Sequence, residues 1–245
     1  MDKLLFVSMN GAKNSMRELE VLTNNLANVN TTGFRADATM NTPFKVKAGE
    51  NQSRVYSKMD KVFTDFKPGP TINTQRDLDV AITGPGFIAV QSATGKEAYT
   101  RAGDFELGED GILKTHGGHL VMGNSGIINL PNVTKISISG DGTISGLFPG
   151  APDMIPLDKI KLVNPDVKEL AKGKDGLFYT NKGNSLESDP TVNLTKGALE
   201  GSNVNAIEVM TKIIDISRSY EMHTNFMKTM AENAIKSNQL LNSQS

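Results

Sequence analysis

Cysteine is absent from the 245 residues. Disulfides, thiolate nucleophiles and cysteine-based zinc sites are therefore excluded. An excess of either charge is missing too: 26 Lys and Arg stand against 27 Asp and Glu. A nucleic-acid-binding surface needs a basic excess, and this chain has none to give. No apolar run approaches the ~18 residues of a membrane span. The brief run Leu4-Leu5-Phe6-Val7 ends at Ser8, without the small-residue site that closes a cleaved signal.

Helix breakers are missing from both ends. All 10 prolines lie between Pro43 and Pro190. Of 23 glycines, only Gly11 and Gly33 fall outside the stretch Gly49 to Gly201. This distribution predicts helix, then a turn-rich β region, then helix.

At the N-terminus, Leu5, Ala12, Leu19 and Leu26 are spaced by seven. Ser8, Ser15, Leu22 and Val29 follow three later, and Met9 and Met16 four later. That is an apolar stripe on one helix face, with Gly33 as its expected stop. The C-terminal stripe is longer. Ala206, Ile213, Tyr220, Met227, Ala234 and Leu241 repeat at seven, with Val209, Ile216, His223 and Met230 three later. Met210, Ser217, Thr224, Ala231 and Asn238 follow four later. Asn205 with Glu208 reads as a capping box, and Glu208–Lys212 and Glu232–Lys236 as i,i+4 ion pairs. A helix of about 38 residues is roughly 57 Å long. A compact globule of this chain length is only roughly 46 Å across. The stripe therefore needs a partner beyond its own domain body. Burial between several chains is favoured over an isolated two-helix hairpin.

The middle reads as short strands. Asp79-Val80-Ala81-Ile82 and Phe87-Ile88-Ala89-Val90-Gln91 are apolar runs split by Gly84-Pro85-Gly86. Asp110-Gly111, Asp141-Gly142 and Asp175-Gly176 are hairpin signals. One hairpin is expected at 135–139 and 143–147, and a helical turn near 166–171. The stretch from Met40 to about Arg76 shows no period and is expected to be an extended arm.

Chemical motifs are weak. Gly84-Pro85-Gly86-Phe87-Ile88-Ala89 with Asp104 resembles a dinucleotide fingerprint. That fingerprint must open a helix, yet the next residues are strand-like and Pro85 has no N–H to offer a phosphate. His116 and His119 flank Gly117-Gly118, too few ligands for zinc. His223 lies on the helical stripe and reads as a contact residue. Asp110 and Asp141 lack the alternating acidic ligands of a calcium loop. No nucleophile, base and oxyanion hole assemble, so self-assembly is the expected role and no catalytic, cofactor or metal residue is assigned.

Three separated motifs carry a resemblance to the bacterial flagellar rod and hook proteins. The first is Asn25-Leu26-Ala27-Asn28, with Thr31, Gly33, Phe34 and Arg35. The second runs from Leu78-Asp79-Val80-Ala81-Ile82 and Gly86-Phe87 through Tyr99-Thr100-Arg101, Gly103 and Phe105. The third is Leu199-Glu200-Gly201-Ser202-Asn203-Val204. Together they span essentially the whole chain in order. Within that family the chain resembles a proximal rod subunit. A distal rod subunit, or an adhesin or enzyme domain with helical tails, is the alternative.

The resemblance implies an α+β fold. Residues 1–35 and 203–245 are expected as helices paired in a coiled-coil-like axial layer, 36–78 as an arm, and 79–202 as an antiparallel β domain. It implies a non-enzymatic subunit without cofactor or small-molecule substrate, located in the basal body. It further implies export through the flagellar type III apparatus without a cleaved signal, and other rod subunits as partners. The expected subunit-interface stripe is Leu5, Ala12, Leu19, Leu22, Leu26 and Val29, then Val209, Met210, Ile213, Ile216, Tyr220, Met227, Ala231, Ala234 and Leu241.

Overall fold

A computed structural model describes residues 2–48 and 51–242. Helix α1 spans Asp2–Ala27. A long antiparallel hairpin follows, β1 Asp37–Ala48 and β2 Asn51–Thr64. Then come β3 Thr71–Asn73, β4 Val80–Thr83, β5 Phe87–Gln91, β6 Glu97–Thr100 and β7 Phe105–Leu107. Next are β8 Leu113–Thr115, β9 Leu120–Gly123, β10 Gly126–Ile127, β11 Lys135–Ile138 and β12 Thr143–Leu147. The last strands are β13 Ile155–Lys159, β14 Leu162–Val163, β15 Leu170–Lys172, β16 Phe178–Thr180, β17 Asn193–Lys196 and β18 Ala198–Glu200. A 3₁₀ turn, Val167–Glu169, lies before β15, and helix α2 Ala206–Asn242 ends the described chain. The class is α+β, with a helix at each end and an antiparallel β region between.

The chain divides into two compact units. Unit 1 comprises Met1–Val29, Ala36–Asp65 and Val204–Ser245; unit 2 comprises Asn30–Arg35 and Phe66–Asn203.

Unit 2 is built on a nine-stranded sheet of order β15-β16-β6-β5-β9-β8-β7, with β10 on β9 and β14 on β5. The strand period of two splits its central strands between two apolar clusters. Ile88 and Val90 of β5 join Ala98, Phe105, Leu113, Val121, Ile144 and Ile160 on one side. Phe87 and Ala89 join Tyr99, Val163 and Phe178 on the other. Phe66 packs edge-on to Phe87, with ring centroids 6.3 Å apart. Burial on both faces explains why Phe87–Val90 reads as an unbroken apolar run. Each such buried side chain contributes roughly 1.5–3 kcal/mol.

The expected 135–147 hairpin is present with Lys135 opposite Leu147 and Ile138 opposite Ile144. All three Asp-Gly pairs sit in turns, with glycine φ of 76°, 85° and 80°. At the second, Asp141 accepts from the Thr143 hydroxyl at 2.7 Å and from its N–H at 3.2 Å. One half-buried carboxylate is stitched more heavily. Glu97 accepts from Lys161 at 2.8 Å, Ser185 at 2.6 Å and Tyr99 at 2.9 Å. Burial pushes that carboxyl up, and these hydrogen bonds more than offset it, so it rests below its ordinary value.

Unit 1 holds α1, α2 and the hairpin. The two helices pack along one another. The His223 imidazole covers Gly11, where a Cβ would stand 2.5 Å from its Cε1. On α1, Ala12 and Leu22 are buried, Leu19, Leu26 and Val29 half-buried, and Leu5 exposed. Ser8, Asn14 and Asn25 are buried on that helix as well. On α2, Val209 is buried, while Ile213, Ile216, Tyr220, Met227 and Ala234 are half-buried. Of the residues four beyond each repeat, Met9, Met16, Met210 and Ala231 face outward, while Ser217 and Thr224 are half-buried. The side chain of Leu241 lies outside the described residues. Asn205 caps α2, accepting from the N–H groups of Ile207 and Glu208. The capping box is only half formed, because the Glu208 carboxylate turns to Lys212 at 2.6 Å. Glu232 and Lys236 form no ion pair among the described residues.

One expectation is corrected. Gly33 does not stop α1. The helix closes at Ala27, where the Asn28 N–H reaches the carbonyls of Asn24 and Asn25 and its side-chain amide reaches Asn24 again. In the 116–119 turn the left-handed residue is Gly118 at φ 81°.

The 141–143 turn yields a pH prediction. Thr143 holds the Asp141 carboxyl at about 2, against an ordinary 3.8. A lowered carboxyl stabilises the fold above its unfolded value, and that contribution fades as pH falls toward the folded one. Asp141→Asn should lower the melting temperature at pH 7 and shrink its acid dependence between about pH 4 and 2. Parallel melting curves for variant and parent across that window would refute the assignment.

Candidate functional site

The three sequence motifs meet through charge. Arg35 and Glu200 are 1% and 3% exposed, and Arg101 is 6% exposed. An Arg35 terminal nitrogen donates to Glu200 Oε1 at 2.6 Å, and the Gly69 N–H donates to the same oxygen at 3.0 Å. Arg101 donates to Glu200 Oε2 at 2.7 Å. Its other nitrogens reach the carbonyls of Gly86 at 2.9 Å and Gly84 at 2.5 Å. Its guanidinium also stands 5.6 Å from the Phe87 ring centroid. Buried ion pairs survive only when hydrogen bonds satisfy their remaining atoms, and the Glu200 carboxylate accepts three.

Backbone contacts reinforce the cluster. The Gly33 N–H donates to the Glu200 carbonyl at 2.7 Å. Gly33 has φ 67°, and a Cβ there would collide with the Arg101 backbone, so a close approach requires this glycine. Lys172 stands 3.9 Å over the buried Phe34 ring and donates to the Arg35 carbonyl at 2.7 Å. Asn203 donates its side-chain amide to the Lys67 carbonyl at 3.0 Å. Leu199 is half-buried on β18, and Ser202, three residues later, is buried.

The first motif also has a role in unit 1. Buried Asn25 donates to the Asp37 carbonyl at 2.7 Å and accepts from the Asp37 N–H at 2.9 Å. Its amide thus imitates a strand neighbour for the first residue of β1. Leu26 and Val204 are half-buried, and Ala27 is exposed.

Beside the cluster lies a cleft of about 590 Å³, lined by Arg35, Phe66, Gly69, Gly84, Arg101 and Glu200 among others. With three donors on one carboxylate and both guanidiniums engaged, the cluster serves as structure rather than as a proton-transfer centre.

Comparison with known proteins divides along the same lines. The family described as "Flagella basal body rod protein" matches residues 5–35. "Flagellar hook protein FlgE/F/G D1 domain" matches 81–146, and "Flagellar basal body rod FlgEFG protein C-terminal" matches 195–240. Each matched segment contributes one charge of the cluster: Arg35, Arg101 and Glu200. The flagellar basal-body rod protein FlgF of Escherichia coli K12 is 36% identical over 249 residues, covering 98% of this chain and 99% of the relative. The FlgF protein of Caulobacter vibrioides is 35% identical, with 95% of each chain covered. A FlgG rod protein of Buchnera aphidicola subsp. Acyrthosiphon pisum is 31% identical, covering 96% and 98%.

The chain belongs to the flagellar basal-body rod protein family.

Like its relatives, this rod-family chain is a structural protein and not an enzyme. The glycine turn of unit 2 fits that reading. His116 is exposed and bonds Glu106 at 2.9 Å, which raises its pKa above the ordinary value. Among the described residues no group of three or more His, Asp or Glu could hold a metal ion. Arg35 and Arg101 lie within two of the sequence motifs, but nothing in the spacing pairs them with Glu200. The available signal was a full charge beside aromatic, otherwise buried segments, Phe34-Arg35 and Tyr99-Thr100-Arg101.

Two predictions follow from this geometry. Arg101→Met and Glu200→Met should each destabilise unit 2 by about 3–5 kcal/mol, because each strands a buried charge. The double variant should lose well under the sum of the two. Additive losses in urea unfolding would show that the pair is not coupled. Replacing His116 and His119 together by Gln should leave swimming intact in cells carrying the variant, since Gln keeps polar contacts at an exposed turn. Lost motility with a folded unit 2 would contradict a purely structural turn.

Proposed function

We propose that this rod-family chain is a structural subunit of the proximal rod of the flagellar basal body, assembling with other rod subunits into the shaft. The observation that carries this reading is likeness to FlgF proteins over nearly the whole length of both chains. In this reading residues 1–35 and 203–245 form the axial layer as a coiled-coil-like pair. Residues 36–78 form an arm and 79–202 the β domain. The chain reaches its site through the flagellar type III export apparatus without a cleaved signal.

The helix surfaces support assembly. Phe6, Met9 and Met16 of α1 and Ile207, Met210, Ile214 and Met222 of α2 are each more than half exposed. Apolar side chains in such number on one pair of helices mark an interaction surface. The stripe Leu5, Ala12, Leu19, Leu22, Leu26, Val29, Val209, Ile213, Ile216, Tyr220, Met227 and Ala234, with Met210, Ala231 and Leu241, is assigned to the seam between subunits. No helix among the described residues is long and apolar enough to cross a membrane.

Ile213→Asp or Leu19→Asp tests this. A carboxylate on the seam would be buried without a partner, costing several kcal/mol. Incorporation into purified basal bodies and swimming should both be lost, while amide-exchange protection in unit 2 stays unchanged. Normal swimming of either variant would remove these positions from a subunit interface.

A further inference from the structure

Of the three charges, Arg101 stands 5.6 Å from the ring of Phe87, a member of one apolar cluster of unit 2. The clusters draw on residues from Phe66 to Leu194, whereas Glu200 lies beyond them in sequence. Its partners are distant along the chain, 165 residues away at Arg35 and 99 away at Arg101. Loop closure over such distances grows only logarithmically, so chain entropy does not decide when the contact forms.

Desolvation does. A charge leaving water is repaid only when its partners already stand in position. The Arg101 head is aimed by the Gly84 and Gly86 carbonyls, which belong to the turn between β4 and β5. The third donor, the Gly69 N–H, precedes β3, and β3 pairs with β18 itself. The receiving site therefore exists only after β4, β5 and β6 have come together. Before that, transfer of Glu200 from water is unfavourable.

We propose that Glu200 is a closing latch: the apolar core of unit 2 condenses first, and the carboxylate then docks between Arg35 and Arg101. The latch controls how slowly unit 2 opens rather than how fast it folds. This role is independent of the rod assignment.

The test is a urea-jump kinetic series on the full chain, followed by stopped-flow circular dichroism, comparing the parent with Glu200→Gln and Arg101→Lys. Interactions absent from the folding transition state act on the unfolding limb alone. Each variant should unfold about 100-fold faster or more, while its refolding rate changes less than about threefold. Ile144→Val, within the core cluster, should slow refolding measurably and serves as the opposite case. Refolding slowed in proportion to the lost stability would overturn the proposal, as would two unchanged limbs. Failure of both variants to refold would overturn it too, because a contact that closes last is not needed to reach the condensed state.

Discussion

A carboxylate can accept several hydrogen bonds at once, and Glu200 uses that capacity to hold three stretches of chain together. Arg35 arrives from the segment after α1, Arg101 from the end of β6, and the Gly69 N–H from the stretch before β3. Inside a low-dielectric site each contact is stronger than in water, and the loss of any one is correspondingly dear. The apolar clusters supply most of the free energy of unit 2 and fix strand register. Directional, charged contacts add a further selection at the strand end that carries Glu200. The Gly33 N–H on the Glu200 carbonyl and Lys172 over Phe34 extend the same selection to the backbone on either side.

Unit 1 follows a different logic. Its helices pack along one another, with Ala12, Leu22 and Val209 buried, and leave many large apolar side chains in water. For a chain that remains alone this is an aggregation liability; for a subunit it is unfinished packing. The polar residues on the inner face, Ser8, Asn14 and Asn25, cost burial energy. Asn25 recovers it by pairing with both backbone groups of Asp37.

Much of this was legible from residue spacing. The seven-residue repeats located both helices, the apolar runs located β4 and β5, and the Asp-Gly pairs located three turns. The repeats did not reveal that Met9, Met16, Met210 and Ala231 would face outward, because a position four further on lies at the flank of the contact line. The length of the β1–β2 hairpin was hidden as well. The ribbon's described side chains, at 37–44 and 61–64, are all half-buried or exposed, so no buried face imposes alternation there, and the stretch from Met40 to Arg76 shows no period. Gly33 misled for another reason. A glycine just past a helix signals a stop by default, and only the neighbouring Arg101 backbone shows that the missing Cβ is what matters. The charged cluster could not be seen as a cluster, since its members are brought together by sheet topology alone.

The hairpin has a root that closes on itself. The Asp65 N–H donates to the Ala36 carbonyl, and the Thr64 hydroxyl donates to the Asp37 carboxylate. With its two ends stapled to each other and Asn25 gripping Asp37, whatever lies farther out adds no new demand at the base. Adding or removing matched residues in β1 and β2 changes the ribbon's reach by about 3.4 Å per pair and leaves the staple untouched. The ribbon is in effect a gauge of adjustable length, and a change in its span alters its reach without rewriting the helix it springs from.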